Sequence, residues 1–130
     1  MVANAVGCST VLVVDDYADT RQLLKRMLEE MAFRVMEAAN GQQAIDAARE
    51  NCPDLILLDL NMPHVDGLEA ARQIRACKGL CHNAPIVAIT AFDTYGMEEA
   101  ALEAGCDGYY LKPVDLDRLD EILRKYLSVK

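Results

Sequence analysis

The sequence predicts a single α/β domain with a parallel five-stranded sheet and five helices. Short apolar runs alternate with helical patterns five times along the 130 residues, which is typical of parallel strands joined by crossover helices. Hydrophobic residues make up 52% of the chain and allow a sizeable core. Because no Pro-, Gly- or Ser-rich stretch suggests a linker, we expect one domain over residues 10–130 behind a flexible N-terminus over residues 1–9.

The strands are predicted from short runs of aliphatic, β-branched and aromatic residues. These runs occupy residues 10–14, 35–38, 55–58, 85–89 and 108–111. Apolar residues spaced three or four apart predict helices over 18–31, 42–51, 68–77, 97–104 and 116–126. The first helix has the stripe Leu23, Leu24, Met27, Leu28 and Met31, and the last has Leu116, Leu119, Ile122, Leu123 and Tyr126. Both stripes are expected to face the sheet.

The charge of the chain excludes some classes of partner. A net charge of -8 and a pI of about 4.6 argue against direct binding of nucleic acid or of an anionic membrane. No apolar run reaches the roughly 18 residues of a membrane span, and no signal peptide is evident, so a cytoplasmic location is expected. The five cysteines are expected to be reduced thiols. The spacing of Cys77, Cys81 and His82 fits neither a c-type haem site nor a complete zinc site.

Five polar residues follow the ends of predicted strands. They are Asp15, Asp16, Asp59, Thr90 and Lys112. Parallel strands end at the same edge of a sheet, and open α/β folds bind ligands at this carboxyl edge. We therefore expect these side chains to share one site.

Three carboxylates at one edge would repel one another, so a cation is expected among them. Oxygen ligands without His or Cys favour a hard ion, and a few carboxylates with water are the usual protein ligands of Mg²⁺. The predicted ligands are Asp15, Asp16 and Asp59. The backbone carbonyl of Asn61, in the loop after the third strand, is a further candidate.

The same residues could support chemistry at phosphorus. A carboxylate can attack a phosphoryl group and form an aspartyl phosphate if the charge on the phosphoryl oxygens is neutralised. Asp59 is the predicted nucleophile because it ends what should be a central strand. Mg²⁺, Lys112 and the hydroxyl of Thr90 are expected to stabilise the phosphoryl oxygens.

From residue 10 to residue 127 the chain closely resembles the receiver domain of two-component response regulators. The resemblance rests on Val-Val-Asp15-Asp16, Leu-Asp59-Leu-Asn-Met-Pro63 with Asp66-Gly67, Ile-Thr90-Ala91 and Gly-Tyr-Tyr-Leu-Lys112-Pro113. It implies a doubly wound, flavodoxin-like sheet of strand order 2-1-3-4-5. It also implies that Asp59 accepts a phosphoryl group from a phosphohistidine on a sensor histidine kinase or a phosphotransfer protein.

The resemblance also assigns roles around Asp59. Thr90 would hydrogen-bond the phosphoryl group, Lys112 would pair with it, and the Lys112-Pro113 peptide bond would be cis. Tyr109 would be the switch aromatic that responds to Thr90, whereas strand alternation places Tyr110 on the opposite face. The fourth helix, the fifth strand and the fifth helix would then form the surface for a downstream protein partner.

The chain is short for an attached output domain, so we expect it to act through a partner. It could be a stand-alone regulator, a phosphorelay intermediate or a receiver from a larger hybrid kinase. A further hypothesis is that Phe92 shields the aspartyl phosphate from water and prolongs the phosphorylated state. We expect no catalytic role for His64 or His82.

The alternative is an enzyme. A Mg²⁺-dependent phosphohydrolase of the haloacid dehalogenase type also uses an aspartyl nucleophile, but it requires Asp-x-Asp after its first strand. Here Asp15 and Asp16 are adjacent, and the chain has little room for a cap domain. We therefore expect a signalling module that takes part in its own phosphotransfer and dephosphorylation, not an enzyme.

Overall fold

The fold is a five-stranded parallel sheet with the order β2-β1-β3-β4-β5 and a helix after each strand. The computed structural model describes residues 9–60, 67–76, 83–91 and 96–127. The strands are β1 Thr10–Val14, β2 Arg34–Ala38, β3 Leu55–Asp59, β4 Ile86–Thr90 and β5 Gly108–Leu111. The helices are α1 Ala18–Glu30, α2 Gly41–Asn51, α3 Gly67–Ala76, α4 Met97–Glu103 and α5 Leu116–Tyr126. The predicted fold class, strand order and helix count are confirmed.

The interior strands of the sheet carry the polar residues of interest. Every residue of β3 and β4 is buried, which explains their almost unbroken aliphatic sequences. The parallel register pairs Asp59 with Ile89 and Thr90 with Leu111. Asp59 and Thr90 are each the last residue of a strand, so the register brings them to the same edge of the sheet.

The two faces of the sheet are covered by different helices. Helices α1 and α5 pack on one face, against residues that include Val13, Leu57 and Ile89. Helices α2, α3 and α4 cover the other face. Tyr109 packs with this second group and Tyr110 with the first, which confirms the predicted alternation along β5.

Some predicted positions were wrong by one residue or one turn. Strand β4 begins at Ile86 and not at residue 85. Leu23 is 56% exposed because the buried stripe of α1 runs through Leu24 and Leu28, and a neighbouring residue points about 100° away around a helix. Leu116 is 54% exposed, and the buried stripe of α5 begins one turn later, at Leu119.

Several predictions fall outside the described residues. They concern Asn61, His64, Cys77, Cys81, His82, Phe92 and residues 1–8 of the N-terminus that was predicted to be flexible over residues 1–9. Cys52 and Cys106, which are described, are free thiols. Within the part of the chain that the structure describes, no helix is both long and apolar enough to cross a membrane.

Candidate functional site

The carboxyl edge of the sheet contains three buried polar side chains. Asp15 is 2% exposed, Asp59 is 5% exposed and Thr90 is fully buried, and no other polar side chain of the described residues is buried to this extent. Two ionisable carboxylates so far from water require compensating partners, because desolvation of a charge is costly. Their concentration at one edge marks this region as the candidate site.

Lys112 supplies one of these partners. Its ammonium donates hydrogen bonds to Asp15 Oδ2 at 2.8 Å and to Asp59 Oδ2 at 3.3 Å. Burial alone would lower the pKa of Lys112, but the hydrogen bond to Asp15 and the negative charges of Asp59 and Asp15 outweigh this and raise it. Lys112 therefore stays protonated at neutral pH and bridges the two aspartates.

Asp16 adds a third carboxylate on the solvent side. Asp16 is exposed, and carboxylate oxygens of Asp15, Asp16 and Asp59 all lie within 4.8 Å of one another. Three carboxylates face the single ammonium of Lys112, so the cluster carries excess negative charge. This all-oxygen donor set fits Mg²⁺, which prefers carboxylate and water ligands.

The backbone around Asp15 is held from several directions. The N–H of Asp15 donates to the carbonyl of Ala38 at 3.1 Å, and the N–H of Tyr17 donates to Asp15 Oδ1 at 2.9 Å. The guanidinium of Arg21 donates to the carbonyl of Asp15 at 2.9 Å. Arg21 was not among the predicted site residues, because a lone arginine in an amphipathic helix gives no sign that it folds back onto the preceding turn.

Gly67 allows α3 to begin directly against the site. A Cβ atom at this position would lie 2.6 Å from the carbonyl oxygen of Asp59 and 2.8 Å from the Cα of Leu60. Both neighbours are backbone atoms and cannot move aside cheaply. Glycine is therefore required here for the close approach of α3 to the end of β3.

The segment after β5 places Lys112 beside Thr90. The N–H of Lys112 donates to the carbonyl of Thr90 at 2.8 Å, and the Lys112-Pro113 peptide bond is cis. A mostly apolar groove of about 410 Å³ opens next to Lys112; it is lined by Thr20, Leu23, Leu24, Ile89, Ala91, Lys112, Pro113 and Val114. The lysine thus lies between the buried carboxylates and an open apolar groove.

A larger groove lies on the face formed by α4, β5 and α5. It measures about 610 Å³, and Glu98, Tyr109, Tyr110, Leu111 and Arg118 contribute to its lining. Leu111 is 44% exposed here. The guanidinium of Arg118 lies 5.6 Å from the centre of the Tyr110 ring, within the range of a cation–π contact. Tyr109 reaches this groove from β5, the strand that pairs with β4 and its terminal Thr90.

The fold and the site define an open α/β protein with a cluster of three carboxylates and a lysine at the carboxyl edge of its sheet. A family model, the response regulator receiver domain, matches residues 11–124. The chain therefore belongs to the response regulator receiver family and is a phosphorylatable module of two-component signalling. The family match, which covers most of the chain, favours this over the haloacid dehalogenase alternative.

Sequence relatives and solved structures agree with this assignment. The polar-differentiation response regulator DivK of Brucella anthropi is 36% identical over 119 residues, covering 92% of this chain and 96% of the relative. The receiver domain of a sensor histidine kinase from Pseudomonas aeruginosa, solved with magnesium in its active-site cleft, is 32% identical with a TM-score of 0.86 over 95% of this chain and 100% of that one. The chemotaxis protein CheY4 of Vibrio cholerae is 27% identical with a TM-score of 0.86, covering 92% of this chain and 99% of that one.

Proposed function

We propose that Asp59 is the phosphoacceptor of this receiver domain and that Mg²⁺ binds to Asp15, Asp16 and Asp59. The observation that carries the proposal is a buried carboxylate at the end of a central strand, bridged to Asp15 by a charged lysine and placed beside an exposed third carboxylate. The magnesium bound in the related Pseudomonas receiver domain supports the choice of ion. The carbonyl of Asn61 is proposed as a further ligand and lies outside the described residues.

In the proposed transfer, an Asp59 carboxylate oxygen forms a bond to phosphorus. The phosphorus–nitrogen bond of the donor phosphohistidine breaks, and its electron pair stays on the imidazole nitrogen. Bound Mg²⁺ would neutralise charge on the phosphoryl oxygens. Lys112 already contacts Asp59 and can pair with the phosphoryl group. Thr90, at the end of the neighbouring strand, can donate a hydrogen bond from its hydroxyl to a phosphoryl oxygen.

We further propose that phosphorylation is read through Thr90 and Tyr109. A phosphoryl group on Asp59 introduces negative charge beside the end of β4, and a hydrogen bond from Thr90 would favour one of two arrangements there. Tyr109, on the adjacent strand, lines the groove of the α4–β5–α5 face. This groove, with exposed Leu111 at its margin, is proposed to bind a downstream protein partner.

The upstream partner is proposed to be a sensor histidine kinase or a phosphotransfer protein. The apolar groove that opens beside Lys112 is the surface next to the site on which such a partner could dock. A cytoplasmic location, self-catalysed dephosphorylation and shielding of the aspartyl phosphate by Phe92 stay predictions. Faster loss of phosphate in Phe92→Ala would support shielding, whereas an unchanged rate would contradict it.

The test of the proposed function is stoichiometric labelling by a small phosphodonor. Phosphoramidate with Mg²⁺ should add one phosphoryl group per chain, measured by intact-protein mass spectrometry. Asp59→Asn should abolish the labelling, since the amide is a far weaker nucleophile. Asp46→Asn is the matched control, because Asp46 lies on α2 and contacts Gln42.

Labelling of Asp59→Asn at the wild-type level would overturn the assignment of the acceptor. Labelling that persists in EDTA would overturn the role of Mg²⁺. Repeated turnover of a phosphomonoester would point back to a phosphohydrolase.

A further inference from the structure

The backbone carbonyl of Asp15 lies between two of the proposed ligands and is held by a side chain of α1. The carbonyl of Asp15 belongs to the peptide group that joins Asp15 to Asp16, two of the three proposed Mg²⁺ ligands. It accepts a hydrogen bond from Arg21 Nη1 at 2.9 Å. This contact therefore fixes the plane of the peptide between two ligands.

Arg21 is itself held in place from the edge strand of the sheet. Its Nε donates to Glu37 Oε1 at 3.1 Å, and the two side chains are only 17% and 33% exposed. Glu37 precedes Ala38, whose carbonyl accepts the Asp15 N–H. The end of β2 thus holds Asp15 twice, directly through its backbone and indirectly through Glu37 and Arg21.

The two proposed ligands depend on this support to different extents. The carboxylate of Asp15 is buried and fixed by its own hydrogen bonds from Tyr17 and Lys112. Asp16 is exposed, so the direction of its side chain depends strongly on the backbone that carries it. A rotation of the peptide between them would move Asp16 relative to Asp15 and Asp59.

We propose that Arg21, anchored by Glu37, is a positioning residue for the Mg²⁺ site. It fixes the peptide between Asp15 and Asp16 and thereby keeps the Asp16 carboxylate within reach of an ion held by Asp15 and Asp59. This inference rests on the proposed function, because it assumes that Mg²⁺ binds to these aspartates.

If Arg21 acts only through its charge, its removal should change the Mg²⁺ affinity in the opposite direction from that expected of a positioning residue. A guanidinium near a divalent cation repels it, so loss of the positive charge alone would strengthen Mg²⁺ binding. Loss of the hydrogen bond to the Asp15 carbonyl would weaken it, as loss of outer-shell partners of metal ligands usually does. The sign of the change therefore separates the two roles.

The experiment is calorimetric titration of the full chain with Mg²⁺ in the absence of phosphodonor. Arg21→Met should weaken binding by about tenfold, the lower end of typical outer-shell effects. The double variant Arg21→Met, Glu37→Met leaves the net charge unchanged and should be similarly weak. Lys25→Met removes the same charge from an exposed ion pair with Glu29 on the same helix, and should stay within about twofold of the wild type.

Arg21→Lys is the conservative variant. It also tests the positioning role if Arg21→Met does not fold. Lysine keeps the charge but lacks the planar fork that contacts the Asp15 carbonyl and Glu37 together, so its affinity should lie between those of the wild type and Arg21→Met. Where Arg21→Met is unfolded, Arg21→Lys should still bind about threefold more weakly than the wild type.

Two results would overturn the inference. Binding by Arg21→Met as tight as in the wild type, or tighter, would show that the contact does not position the ligands. If Arg21→Met cannot be measured, a folded Arg21→Lys that binds Mg²⁺ as tightly as the wild type would also refute the positioning role. Absence of Mg²⁺ binding by the wild type would instead refute the proposed function and, with it, the basis of the inference.

Discussion

Both edges of the sheet hold aspartate carboxylates paired with a basic side chain, but the charges are balanced differently. At the carboxyl edge, Lys112 contacts Asp15 and Asp59, and Asp16 adds a third carboxylate nearby. Negative charge is in excess there. Part of the cluster is exposed, so an ion from solvent can reach it.

At the amino edge, Arg75 pairs with Asp107 where β4 and β5 begin. The guanidinium also donates to the carbonyls of Gly105 at 2.8 Å and Ala84 at 2.6 Å. Asp107 Oδ2 in turn accepts from the N–H of Ile86 at 2.9 Å. One cation meets one carboxylate here, and two further donors of the guanidinium contact backbone carbonyls.

The comparison separates the proposed binding site from a structural cluster. The amino-edge cluster ties α3 to the segments before β4 and β5, and its charges need no further partner. Gly105 has φ +110°, and a Cβ there would lie 2.5 Å from Arg75 Cγ, so the backbone itself makes room for the arginine. The carboxyl-edge cluster has three carboxylates beside the ammonium of Lys112, and the Mg²⁺ of the proposed function would offset this excess of negative charge.

The largest expected effect on stability follows from removing the ammonium of Lys112 at the carboxyl edge. Lys112→Met leaves the buried carboxylates of Asp15 and Asp59 without their ammonium partner and should lower the free energy of unfolding in EDTA by about 3 kcal/mol. Urea denaturation measures this. Added Mg²⁺ should recover more stability in this variant than in the wild type, because the site is then more negative.

An equal response of Lys112→Met and the wild type to Mg²⁺ would contradict the charge imbalance at the carboxyl edge. Unchanged stability of the variant in EDTA would contradict the importance of the bridge between Asp15 and Asp59.

A smaller effect is expected from the matching change at the amino edge. Arg75→Met removes the donor to two carbonyls and to a half-exposed carboxylate, and should lower the free energy of unfolding by about 2 kcal/mol. Mg²⁺ should stabilise this variant only as much as it stabilises the wild type, because the single Asp107 carboxylate left at the amino edge is a poor Mg²⁺ site. The same urea titrations, with and without Mg²⁺, measure the loss of unfolding free energy and the stabilisation by Mg²⁺.

Arg72→Met is the control on the same helix. Arg72 pairs with Glu69 on the exposed surface of α3, and such pairs contribute about 0.5 kcal/mol or less. If Arg72→Met and Arg75→Met were equally destabilised, the special role of the amino-edge cluster would be refuted.

The sequence was sufficient to predict the architecture and the polar residues of the carboxyl edge. Aliphatic runs identify the buried strands, and a polar residue at the end of each run necessarily reaches the edge where parallel strands finish. Asp59 and Thr90 could be located in this way because their positions depend on local strand geometry alone. The order of the strands came from the resemblance to receiver domains.

The supporting contacts could not be predicted in the same way. Arg75 and Asp107 are 32 residues apart, and Arg21 and Glu37 are 16 apart. Charged residues at such separations look like ordinary solvent-exposed positions until the chain is folded. Their roles depend on how α3 approaches β4 and how α1 approaches β2, which hydrophobic periodicity does not specify.

The central claim is that the carboxyl edge, and not the amino edge, needs a cation. Chemical unfolding of the wild type, Asp59→Asn and Asp107→Asn with and without Mg²⁺ tests it most directly. At ten times the dissociation constant, Mg²⁺ should stabilise the wild type and Asp107→Asn by about 1.4 kcal/mol. Asp59→Asn should show almost no stabilisation. A full response in Asp59→Asn, or its loss in Asp107→Asn, would contradict the account.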